Sequence, residues 1–246
     1  MFSNGPDIGE QALSKAAEIG LSTQLDEAEN LDIDIRTNPF KLMQGELESV
    51  KVEGEGLVMK KDLRAEELTL DIDRVAINPM KAAFGEIEFT RPSEATAEMV
   101  LTEQDMERAF NSDFLKGKLQ NLSVSIDNQP TQLNVRSVQF RLPDTQKIAL
   151  SAEVERTDTG TIEQVAFTAI PQIDANGQRL RLDHVEYGES QEVSSELTTA
   201  LLDSASELLD LRNFDLKGVT ITMNQLAIQS GKMTLQGQAI VEKFPG

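Results

Sequence analysis

Histidine occurs once in this 246-residue chain, at His184, and cysteine does not occur at all. Composition therefore removes a three-histidine zinc site, a thiolate nucleophile and any disulfide. No G-x-S-x-G elbow and no P-loop is present either. The chemistry left over belongs to carboxylates, spaced most regularly in Asp32-Ile33-Asp34 and Asp71-Ile72-Asp73. On a strand both acids of each pair share one face, where they could meet a hard cation. Each pair supplies two of the roughly six or more oxygens that Ca²⁺ wants, and half-solvated strands of an acidic chain carry such pairs anyway. No metal and no cofactor is expected. His184 follows Leu180 and Leu182 on one side of a predicted strand and reads as structural, not catalytic.

The elements that would position these groups are β-rich. Hydrophobic residues make up 39% of the chain, with ten Phe, one Tyr and no Trp, and the aliphatics fall in short alternating runs. Such alternation is the mark of half-buried strands. No window is apolar enough to cross a bilayer, and the opening Met1-Phe2-Ser3-Asn4-Gly5-Pro6-Asp7 is not a secretory signal. The simplest expectation is a cytoplasmic protein, at most peripheral to a membrane. A net charge of −19 with no basic stripe argues against nucleic acid, and it limits contact with an anionic membrane to something local and transient.

One unit is used twice. Asn38-Pro39-Phe40-Lys41-Leu42-Met43-Gln44-Gly45-Glu46-Leu47-Glu48 returns forty residues later as Asn78-Pro79-Met80-Lys81-Ala82-Ala83-Phe84-Gly85-Glu86-Ile87-Glu88. Asn caps a short helix, Pro suits its first turn and Gly ends it, so each copy reads as strand, capped helix, strand. The caps repeat while the apolar positions differ in size. Phe40, Leu42, Met43, Met80 and Phe84 are bulky and adaptable, suited to a permissive lining as well as to ordinary core.

Around the repeat the chain predicts an Ala-rich helix over residues 8–27 and a helix start at Thr102 with Asp105 three residues on. Ser112 restarts that helix. An antiparallel meander follows over residues 122–187, with turns at Asp127-Asn128, Pro143-Asp144, Asp158-Thr159-Gly160 and Asn176-Gly177. The strongest apolar stripe, Leu197, Leu201, Leu202, Ala205, Leu208 and Leu209, predicts a helix before the last strands. Val58-Met59-Lys60-Lys61-Asp62-Leu63-Arg64 reads as a hairpin whose apolar tip adjoins three cations. Met59, Lys60, Lys61 and Arg64 are its candidate membrane contacts. With no low-complexity linker, residues 8–245 form one α+β domain behind a flexible 1–7.

Several of these segments together resemble one family. They are Ala16-Ala17-Glu18-Ile19-Gly20-Leu21-Ser22, the two Asn-Pro helices, Gly54-Glu55-Gly56-Leu57, Leu101-Thr102-Glu103-Gln104-Asp105, Ala109-Phe110-Asn111-Ser112 and Ala205-Ser206-Glu207-Leu208-Leu209-Asp210-Leu211. The chain is similar to the bacterial LmeA-like phospholipid-binding family, itself similar to tubular lipid-binding proteins. The resemblance implies an elongated, strongly curved antiparallel sheet wrapped around long helices, enclosing an apolar groove or tunnel for a phospholipid or other acyl lipid. Non-catalytic lipid binding, with possible transfer, is then expected, lined by Phe40, Leu42, Met43, Met80, Phe84, Leu197, Leu201 and Leu208. The signal or lipoprotein segment of exported members is missing here, so their envelope role does not carry over. The competing expectation is a structural or assembly factor that recognises another protein through its sheet and acidic surface.

Overall fold

Alternation of apolar and polar residues builds two antiparallel sheets that frame two cores, the second of which also takes Ile228 and Met233 from the first sheet. The computed structural model describes residues 8–82, 84, 87–126, 129–187, 199, 202 and 218–242. In chain order the elements begin with α1 (Ile8–Ser22), β1 (Asn30–Arg36), α2 (Pro39–Met43), β2 (Glu46–Met59), β3 (Leu63–Ala76), α3 (Pro79–Ala82) and β4 (Ser93–Thr102). Next come α4 (Glu103–Phe110), α5 (Asp113–Lys116), a 3₁₀ turn (Gly117–Leu119), β5 (Leu122–Ile126), β6 (Gln129–Asp144), β7 (Lys147–Arg156), β8 (Ile162–Ile173) and β9 (Leu180–Tyr187). The last hairpin is β10 (Val219–Gln229) and β11 (Lys232–Val241).

The first sheet has the order β1-β2-β3-β4-β11-β10, so the last hairpin completes a sheet begun by the duplicated unit. The second is the meander β5-β6-β7-β8-β9. The architecture is mostly antiparallel sheet with a curled half-barrel, as the resemblance implies. No long helix is found among the described residues. The longest described helix, α1, has fifteen residues, and the acidic run expected to continue it through Glu27 instead leads into β1. Of the predicted late helix only Thr199 and Leu202 are described. Both are helical, and Leu202 packs on the second core.

Register explains the first core. Three apolar ladders cross all six strands on one face: Ile35-Val50-Ile72-Ala95-Ala239-Ile221, Ile33-Val52-Leu70-Ala97-Gly237-Met223, and Leu31-Gly54-Leu68-Met99-Leu235-Leu226. Directly opposed residues in antiparallel strands share a face, so the alternation alone creates the apolar surface. Leu13 and Ala17 of α1 cover the first of these ladders, where Ile35, Val50 and Ile72 are buried. Burying each such side chain is worth roughly 1.5–3 kcal/mol.

The same helix closes the sheet's edge. β1 has no outer neighbour, and the Ile35 N–H donates to Ser14 Oγ (3.0 Å) while the Thr37 N–H donates to Glu10 Oε1 (2.7 Å). Glu10 and Ser14 lie one helical turn apart and serve alternate donors of the strand. An edge that would otherwise invite another chain is thereby occupied.

The second core lies on the inner face of the meander, where Val138, Phe140, Leu150, Val154, Val165 and Phe167 meet Phe110, Leu115 and Leu119 from α4, α5 and the 3₁₀ turn. Thr102 and Asp105 form the full capping box at the start of α4, and Ser112 caps α5, both as the sequence predicts. Two turns move. The β6–β7 hairpin turns at Thr145-Gln146, with Gln146 at φ +69°, two residues past Pro143-Asp144. β4 begins at Ser93, so the second copy of the repeat is not followed directly by a strand. His184 is also displaced. A register shift between β8 and β9 turns it out of phase with Leu180 and Leu182, and it is exposed at φ +50°.

Candidate functional site

The acidic pairs face away from both cores. Lys51 stands directly between Asp34 and Asp71 across β1, β2 and β3, and its ammonium bonds Glu53 at 2.7 Å. That Glu53 bond, with Asp71 and Asp34 nearby, holds the Lys51 ammonium above its ordinary range. Asp34 is also bound by Arg36 at 2.8 Å. A cation already occupies the middle of the carboxylates, and no metal-holding cluster of acids or histidine is found among the described residues.

Both duplicated helices keep their predicted Asn caps, and Gly85, the predicted stop of the second, lies outside the described residues. Asn38 Oδ1 accepts the Lys41 N–H at 2.9 Å, Pro39 opens α2, and Gly45 follows its last turn at φ +76°. Asn78 Oδ1 accepts the Met80 N–H at 3.1 Å in the same way. The shared Lys and second Glu also find a reason, since Lys41 pairs with Glu48 at 2.9 Å and Lys81 pairs with Glu88. Lys41 holds the Glu48 carboxyl below the usual range. The apolar positions divide. Leu42 and Ala82 turn inward onto the first core, whereas Phe40, Met43, Met80 and Phe84 are 72%, 81%, 72% and 83% exposed. Four of the expected lining residues thus project outward. Leu197, Leu201 and Leu208 lie outside the described residues.

At the other end of the sheet the β2–β3 hairpin is tied down. The Lys60 ammonium sits 4.2 Å from the centre of the Phe114 ring, and the Lys61 N–H donates to Asp26 Oδ2 at 2.6 Å. Lys60 and Lys61 both have positive φ, so the turn is held by these contacts. Arg64 bonds Glu66 (2.7 Å), Asp105 (2.8 Å) and Glu29 (2.8 Å), in that order the causes of a guanidinium pKa raised well above its ordinary value. Met59 is 37% exposed. Most of this charge is internal to the fold.

The apolar surface that stays partly open is one that sequence spacing missed. Leu68, Met99 and Leu235 are directly opposed on β3, β4 and β11, are half-buried, and among the described residues pack into neither core. On one side Leu31 and Leu70 join the first core, and on the other Leu226 joins the second. The ladder from Leu31 to Leu226 crosses six strands, about 24 Å at ~4.8 Å per strand. One leaflet of a bilayer's hydrocarbon is about 15 Å thick, half of ~30 Å. One cavity in the second core, among Met106, Phe110, Phe140, Leu150, Leu182 and Met233, has ≈ 10 Å³, space for about one water. A groove of ≈ 330 Å³ on the meander is lined by Ala149, Ala166 and Tyr187 together with Gln139, Arg141 and Glu186.

The described residues form mostly antiparallel sheet with a curled half-barrel, and no helix among them is long and apolar enough to cross a membrane. The chain belongs to the LmeA-like phospholipid-binding family, whose profile matches residues 6–238, nearly all of it. Comparison with curated proteins and with solved structures gives no match.

Proposed function

We propose that the protein binds phospholipid without catalysis and releases it reversibly, with acyl chain lying along the half-open Leu68-Met99-Leu235 ladder. Membership of a phospholipid-binding family supports lipid as the ligand. The observation that carries the location is the row of half-buried, directly opposed apolar side chains left between two finished cores. Burying a CH₂ is worth about 0.8 kcal/mol, so two sixteen-carbon tails amount to about 25 kcal/mol, but a bilayer offers nearly the same. Transfer between them is close to neutral, as reversible binding requires. Leu197, Leu201 and Leu208 remain candidates for further lining.

Native mass spectrometry of the purified protein, before and after incubation with phosphatidylcholine vesicles, tests the reading. A lipid-sized mass increment is expected for the wild type, and Met99→Trp, which fills the ladder, should reduce it. A protein that carries no lipid and takes none up has a different function.

A further inference from the structure

The four apolar side chains that leave the core converge on one end of the molecule. α2 connects β1 to β2 and α3 lies between β3 and β4, and β2 pairs with β3, so antiparallel order puts both helices at the same end of the sheet. The copies touch there. The Ile77 N–H donates to Gly45 O at 2.8 Å, and a Cβ on Gly45 would come within 2.4 Å of Ile77 O and 3.1 Å of Pro79 Cδ. Phe40, Met43, Met80 and Phe84 therefore form one paired apolar tip, each side chain at least 72% exposed.

We infer that this tip is the surface by which the protein docks on a phospholipid bilayer. The inference rests on the lipid-binding reading above and adds the membrane contact to it. Charge selects the partner. Residues 37–45 and 77–85 carry one Lys each and no acid, in a chain of net charge −19. Their carboxylate partners, Glu48 and Glu88, come from the chain after the helices. Each helix of the apolar tip thus carries one lysine paired with one glutamate, so the tip is close to neutral in a strongly acidic chain. A near-neutral apolar end repels anionic headgroups less than an acidic face does. The hairpin at Lys60 stands at the opposite end, with its tip already engaged by Phe114 and Asp26.

Because the chain has no Trp, a single introduced Trp reports its own surroundings. Phe84→Trp is expected to shift its emission to the blue on adding vesicles of phosphatidylcholine and phosphatidylglycerol, and Met59→Trp at the other end is not. A variant with serine at Phe40, Met43, Met80 and Phe84 should lose co-flotation with those vesicles by about tenfold or more. Its far-ultraviolet dichroism should match wild type, since none of the four packs in the core. Loading from detergent-solubilised lipid, read by native mass spectrometry, should persist in it. If the serine variant floats like wild type, or the blue shift belongs to Met59→Trp, docking at this tip is overturned while lipid binding stands. If the tip binds vesicles but no variant ever loads lipid, docking stands and the binding reading falls. A wild-type dimer that the serine variant dissolves, seen by light scattering, would assign the tip to self-association and overturn the inference.

Discussion

Arg64 shows how much a single side chain can hold. Its guanidinium reaches Glu29 from the segment before β1, Glu66 on its own strand and Asp105 at the start of α4. Asp105 is 3% exposed and also accepts the Thr102 N–H and hydroxyl, so its charge depends on that partner. Arg64→Ala leaves a buried carboxylate unpaired and should cost roughly 3–5 kcal/mol in urea denaturation. Glu29, 69% exposed, is a surface partner, and Glu29→Ala should cost no more than about 1 kcal/mol. Equal losses would show that burial does not set the difference. In sequence, Arg64 is one of three cations beside an apolar hairpin, and the spacing offers no sign of an acid on a different element. The same limit applies to Phe40, Met43, Met80 and Phe84. Their capped helices are legible from Asn, Pro and Gly, but which side of a two-turn helix meets the sheet is decided by the sheet.

α1 is an edge cover as much as a core element. Its Leu13 and Ala17 supply the apolar contact, and Glu10 and Ser14 supply acceptors for two β1 amides. Ser14→Ala and Glu10→Ala each remove one partner of a buried N–H, at a cost of about 1–3 kcal/mol. Hydrogen exchange should localise the damage, with the Ile35 amide quickened in the first variant and the Thr37 amide in the second. Uniform quickening across the sheet would mean that α1 acts by packing alone. Elements set by local chemistry were readable from the sequence: the capping box at Thr102, the Ser112 restart, the meander and the Gly177 turn. Elements set by pairing were not. Whether strands of similar alternation join one sheet or two depends on which edges meet, and β11 pairs with β4, distant in the chain. His184 lies beyond a register shift, which reverses every inward and outward assignment past it.

At the scale of the molecule, two cores flank a strip of apolar sheet that neither finishes. The residues of that strip come from β3, β4 and β11, and each alone is an ordinary strand leucine or methionine. Only register makes Leu68, Met99 and Leu235 neighbours, so no spacing rule applied to the sequence could select them. A ligand that fills the strip should act as missing core. Bound only by the folded state at about a hundred times its dissociation constant, it stabilises by ~2.7 kcal/mol. For a chain of this size that corresponds to a rise in Tm of roughly 5–10 °C over delipidated protein, at ~2–4 °C per kcal/mol. The protection should be local, slowing amide exchange in β3, β4 and β11 more than in the meander. Leu235→Asp tests the location. At a half-buried site it should leave a folded protein whose Tm no longer responds to lipid, whereas Val52→Asp, at 3% exposure, should unfold the first core outright. If lipid raises the Tm of Leu235→Asp as much as that of wild type, the ligand lies elsewhere than on this strip.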